Sequence, residues 1–142
     1  MGRRQQQAEE QGEAVKLLLE SHITKAALGA IRKLAPKLEA EHLANWRGGA
    51  FLRASDAEIL VACQEEQRAL LTYDQATIPD LLRQWAAEER VHSGVIFADK
   101  NTVKPSSPSA VAAALARLAQ EFGEADTTNM VLFLRPAQRA PG

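Results

Sequence analysis

The chain has 142 residues, enough for one domain of ordinary size, with 46% hydrophobic and 25% charged residues to build one core under a charged surface. A net charge of -1 excludes a generally basic nucleic-acid-coating protein, while leaving room for a local basic patch. The single cysteine, Cys63, excludes an internal disulfide and a cysteine zinc site, and no apolar run approaches a bilayer span.

Residues 1–13 are rich in Gln and Glu and lack apolar periodicity, so a flexible leader is expected there. It has no apolar core of the signal-peptide kind, and a cytoplasmic protein is the default expectation. The run "AVKLLLE" (14–20) is short, apolar and bounded, as a strand buried on both faces would be. "ITKAALGAIRKLAP" then predicts a helix that Thr24 opens and Pro36 stops, with Ala27, Leu28, Ile31 and Leu34 as its apolar stripe. "AEHLANW" (40–46) is a weaker strand candidate, followed by a turn at Gly48-Gly49. "SDAEILVACQEEQ" (55–67) opens with Ser55 and places Glu58 three residues on, the pattern of a capping box.

A third strand is expected over about 69–72, running into Thr72-Tyr73-Asp74. "TIPDLLRQWAAEER" (77–90) reads as a helix with Thr77 as its cap and Pro79 in its first turn. "SGVIFAD" (93–99) is a fourth strand that ends in Asp99, and "NTVKPSSPS" is a loop. "SAVAAALARLAQEFG" is a helix with Val111, Leu115, Leu118 and Phe122 on one face and Gly123 as its stop. "NMVLFLRP" (129–136) is the last strand, and 137–142 a flexible tail. Strict alternation of strand and helix predicts one three-layer α/β/α domain over 14–136, with a mainly parallel sheet of about five strands. GxGxxG and GxxxxGK[ST] are both absent, which argues against a dinucleotide enzyme and a P-loop NTPase.

In an open α/β sheet the working crevice lies outside the carboxyl ends of the strands. Glu20, Asp74 and Asp99 fall at or just past three such ends, and Asp56 opens the helix before the Asp74 strand. Carboxylates brought together repel unless a hard cation neutralises them. Acids without a Cys or His cluster suit Mg²⁺ or Mn²⁺ rather than zinc. Three of these acids also have a plain structural reading, whereas Glu20, directly after a buried strand, is harder to account for in that way. Asp56 is favoured by the helix dipole, and Asp74 and Asp99 by turns.

Five pieces carry a family resemblance: "KLLLESHI" (16–23), "ASDAEILVAC" (54–63), "RALLTYD" (68–74), "HSGVIFAD" (92–99) and "AVAAALARLAQEF". In this order and spacing, across roughly residues 15 to 135, the chain resembles the short bacterial PIN-like domains, related to the ribonuclease toxins of toxin–antitoxin pairs. The resemblance implies a PIN-like fold and metal-dependent hydrolysis of RNA. It implies Glu20, Asp56 and Asp74 as the catalytic acids binding Mg²⁺ or Mn²⁺; Asp99, from its place at a strand end, is a weaker candidate ligand. Thr72 would support Asp74, and His22 would line the mouth of the site. The implied partners are RNA and a cognate antitoxin protein, with a homodimer left open and no membrane.

The chain departs from the family pattern in three ways. Glu20 stands where Asp is usual. Thr77 and Ile78 stand where a second acid and an aromatic follow the third strand. The acid of the middle helices has no counterpart. These departures keep an alternative in play: a catalytically decayed PIN-like domain that binds protein or RNA. A phospho-acceptor domain of the response-regulator kind would need a Lys near the end of the last strand, where "LFLRP" offers Arg135. His42 and His92 read as local hydrogen-bonding residues, and Trp46 and Trp85 as packing residues.

Overall fold

A computed structural model describes residues 15–122 and 126–137. The flexible leader expected over 1–13, the Gly123 helix stop and nearly all of the expected tail lie outside the described residues. Five strands are present: β1 (Lys16–Leu19), β2 (Glu39–His42), β3 (Arg68–Thr72), β4 (Val95–Phe97) and β5 (Val131–Phe133). Between them run α1 (Ala27–Leu34), α2 (Asp56–Glu66), α3 (Ile78–Ala87) and α4 (Pro108–Phe122). The sheet order is β2-β1-β3-β4-β5 and every neighbouring pair is parallel, where the sequence predicted only a mainly parallel sheet.

Side chains alternate between the two faces of a strand, and the register turns this alternation into two cores. Leu19, Leu71 and Ile96 lie side by side on one face, under Ile31 of α1 and Val111 and Leu115 of α4. Leu18, Leu70, Val95 and Phe97 face the other way, under Ile59, Leu60 and Cys63 of α2 and Ile78 and Trp85 of α3. The chain is therefore a three-layer α/β/α sandwich, with β1 and β3 buried from both sides. Burial pushes the Cys63 thiol up to about 12, so it behaves as an inert core side chain. Trp46 and Trp85 are buried, as expected of packing residues. Leu34 is not: the last turn of α1 carries it clear of the core, and the stripe ends at Ile31.

Local signals set several boundaries. The capping box forms: Ser55 Oγ accepts from Glu58 N at 3.1 Å, and Glu58 Oε1 accepts from Ser55 N at 2.8 Å. Gln67 closes α2 in the left-handed region and turns the chain into β3. Beyond β2, the chain turns over Trp46–Gly49, where Arg47 (φ 54°) and Gly48 (φ 68°) take the left-handed region.

The helices are placed unevenly. Strand β1 connects to β2 in one direction over the α1 face, whereas β2 to β3 and β3 to β4 run in the other direction over the α2/α3 face. Those crossovers share one hand. The β4–α4–β5 unit steps in the same direction as β3–α3–β4 but lies on the opposite face, so its hand is reversed. Parallel crossovers are right-handed in about 98% of cases. The connection from Ala98 to Ser107 makes the exception feasible, because it crosses the carboxyl edge of the sheet and delivers α4 beside α1. Val103, buried with α1 and α4, anchors it. Its carbonyl accepts from Tyr73 Oη at 2.7 Å, and the Pro105 carbonyl accepts from Thr24 N at 3.0 Å.

Candidate metal centre

The strand order reverses between β1 and β3, so the crevice of this sheet opens where those two strands end. Glu20 leaves β1 with its backbone N–H still paired to the Leu71 carbonyl at 3.1 Å. Its carboxylate, 13% exposed, lies over the gap. Oε2 accepts from Tyr73 N at 3.4 Å, and Oε1 pairs with His22 Nδ1 at 2.9 Å. His22 itself is exposed and sits at the rim.

Asp56 arrives at the same edge from the second layer. The capping box starts α2 at Asp56, and a helix preceding a parallel strand begins at that strand's carboxyl end. Burial raises the Asp56 carboxyl above its ordinary value. The nearby Asp74 carboxylate, and after it the charge of Glu20, raise it further. Acids from β1, α2 and β3, drawn from positions 20, 56 and 74, thus share one electrostatic neighbourhood.

Asp74 has two tasks. Its Oδ1 accepts from Ala76 N at 2.9 Å and from Thr77 N at 2.8 Å, which makes it the side chain that caps the entry to α3. Thr77 was the expected cap, but its backbone is already helical (φ -93°, ψ -44°) and its hydroxyl makes no capping bond. Thr72 supports Asp74 as expected, though through the backbone: Asp74 N donates to Thr72 Oγ1 at 3.0 Å. Among the described residues, no hydrogen-bond donor occupies Oδ2 of Asp74, the oxygen left for Asp56 or a cation.

Asp99 ends at the same edge but is exposed and turned into its own loop, with Oδ1 accepting from Asn101 N at 2.9 Å. His42 is buried with both ring nitrogens engaged: Nε2 donates to the Ile23 carbonyl at 2.6 Å, and Nδ1 accepts from Ala44 N at 3.1 Å. Burial lowers the pKa of His92, whose Nδ1 accepts from Gly94 N at 3.1 Å. It stands before β4, at the amino end of the sheet, so the three histidines do not converge on a zinc site.

Tyr73 was read only as the middle of "TYD". Its backbone N–H meets Glu20 and its hydroxyl holds the crossing loop, so it ties two walls of the crevice together. Burial and the nearby Glu20 push its hydroxyl up to about 12, which keeps it a hydrogen-bond donor. An alternation pattern carries no signal for this role, because strand spacing says nothing of which loop crosses above.

Among the described residues, no three His, Cys, Asp or Glu side chains are grouped so that they could hold a metal ion. Two or three carboxylates without a Cys or His cluster are oxygen donors, of the type that hard cations take rather than zinc. Mg²⁺ keeps several of its waters and is commonly held by one or two carboxylates, and the crevice gathers the oxygen donors of Asp56 and Asp74, with Glu20 beside them already paired to His22. No protein-family model, no curated protein and no solved structure matches the chain.

Proposed function

We propose that the chain is a PIN-like, metal-dependent ribonuclease, with Glu20, Asp56 and Asp74 as the acids that hold Mg²⁺ or Mn²⁺, and that it forms the toxin half of a toxin–antitoxin pair. The supporting observation is the meeting of Asp56 with Asp74 and Glu20 at the β1/β3 reversal. Repelling carboxylates at a crevice are a destabilising arrangement that a bound cation relieves. When bound, the metal supplies an activated water and stabilises charge on the phosphate. The chain's own residues do the placing. Thr72 fixes the backbone of Asp74, the cap to α3 fixes its side-chain rotation, and Tyr73 N with His22 fixes Glu20. A cognate antitoxin would mask this crevice.

The test is to express the wild type and Asp74→Asn in bacteria and to incubate each purified protein with RNA and Mn²⁺. Growth arrest and metal-dependent cleavage by the wild type alone are expected. Harmless growth and intact RNA in both would sink the proposal.

A second reading has one observation in its favour. Thr77, standing where the family has another acid, is exposed and helical, and Oδ1 of Asp74 is committed to the α3 cap. A site thinned in this way suits a PIN-like domain that has lost catalysis and binds protein or RNA. It predicts RNA binding without cleavage in the same assay.

A further inference from the structure

The reversed hand of β4–α4–β5 has left β5 half bare. Leu132 and Leu134 face the α1/α4 core, whereas Val131 and Phe133 face the α2/α3 layer, where no described helix covers them and α3 only borders a groove beside Val131. Val131 is 43% exposed and Phe133 is 59% exposed, with only Phe97 stacked against the latter at a ring separation of 5.8 Å. Strand β5 also ends the sheet.

The backbone of β5 is open on its outer side. Val95 N donates to the Met130 carbonyl at 3.0 Å, and Leu134 N donates to the Phe97 carbonyl at 2.8 Å. In a parallel ladder alternate residues address the neighbour, so 130, 132 and 134 point at β4 while Val131 and Phe133 point away. The other edge of the sheet is protected differently. Strand β2 reads Glu-Ala-Glu-His, and charged edge strands discourage pairing. Strand β5 carries Val-Leu-Phe and no charge.

We infer that β5 is an interface between two copies of this chain, which pair antiparallel across a two-fold axis through Leu132. The geometry is self-complementary. Val131 of one copy meets Phe133 of the other, and each such meeting closes a hydrogen-bonded pair through the N–H and C=O groups that β4 leaves unused. The same register places Val131 against Phe133 across the strands on the bare face, an aromatic–β-branched pair of the favourable kind.

The opposite face is charge-matched. There the half-buried Arg117 and the exposed Glu121 of α4, one turn apart, border the groove beside β5; within the chain Arg117 pairs with Glu121 at 2.9 Å and donates to the Pro136 carbonyl at 2.9 Å. A two-fold axis runs the two α4 helices antiparallel, so Arg117 of each copy is presented toward Glu121 of the other. The contact is small beside the about 1,200–2,000 Å² of a standard stable interface, so the dimer is concentration-dependent.

Sedimentation of the full chain up to about 200 µM, with amide exchange read at Val131 and Phe133, tests the inference. The wild type should dimerise, and those two amides should exchange more slowly as concentration rises. Phe133→Lys should remain monomeric. Val131→Pro, which removes an outward N–H that an edge strand can spare, should do the same. Both should keep the circular dichroism of the wild type. A wild type that stays monomeric throughout, or a dimer that survives both substitutions, would overturn it. If a variant misfolds, the concentration dependence of the two wild-type amides decides.

Discussion

Replacing Asp74 by Asn and by Ala separates its two tasks. Oδ1 accepts from Ala76 N and Thr77 N at 2.9 and 2.8 Å. Asn caps helices as well as Asp does, and its carbonyl oxygen can take both bonds. Asp74→Asn should therefore fall within about 0.5 kcal/mol of the wild type, and the loss of one charge beside Asp56 pushes it toward stabilisation. Ala accepts neither bond and should cost about 1–2 kcal/mol, a drop of several degrees in Tm for a domain of this size. Metal then tests the ligand role proposed for Asp74. At a Mn²⁺ concentration about ten times Kd, binding to the native state should raise wild-type stability by about 1.4 kcal/mol. Both variants should lose that gain. The assay is thermal unfolding of the three proteins with Mn²⁺ and with a chelator. If Asn destabilises as much as Ala, the capping role is wrong; if Mn²⁺ stabilises Asp74→Asn as well as the wild type, Asp74 is not a ligand.

The end of the sheet away from the crevice carries further predictions. Burial alone would raise the Glu66 carboxyl, but hydrogen bonds from Arg68, Arg47 and Trp46 outweigh it and hold the group down at about 2, against an ordinary 4.5. A depressed folded pKa stabilises above the unfolded value, and the gain is lost as pH falls from about 4.5 to about 2. The full gap corresponds to about 3 kcal/mol, reduced by solvent at a side chain 29% exposed to about 2. Glu66→Gln should show that loss in urea unfolding at pH 7 and less than half of it at pH 3; an equal loss at both would refute the ion-pair account. Gly94 sits at φ +114°, and an added Cβ would lie 2.7 Å from the Thr127 carbonyl. Gly94→Ala should therefore lower the urea midpoint by about 2 kcal/mol or more in stability, and an unchanged midpoint would contradict the packing at this turn.

Much of the candidate site was legible in the chain, for a topological reason. When strand and helix alternate strictly, every strand runs the same way, so residues that follow strands gather at one edge whatever the strand order. Glu20 and Asp74 could be placed there from their positions alone, and the Ser55–Glu58 capping box located Asp56 at the start of its helix. Thr77 was misread as the α3 cap because a cap is defined by local backbone angles, which residue type does not fix. Tyr73 went unrecognised because its partners, Glu20 and Val103, are distant in sequence.

By itself, then, the order of apolar runs, caps and breakers determined an α/β chain with its acids at the carboxyl edge, because such signals act over a few residues. Only the tertiary structure decided that β1 and β3 are neighbours, that Asp56 meets Asp74, and that α4 crosses to the α1 face and leaves Val131 and Phe133 uncovered. Strand pairing and the choice of face are contacts between distant segments. They are selected by how two apolar faces bury together, and no stretch of the chain carries that comparison alone.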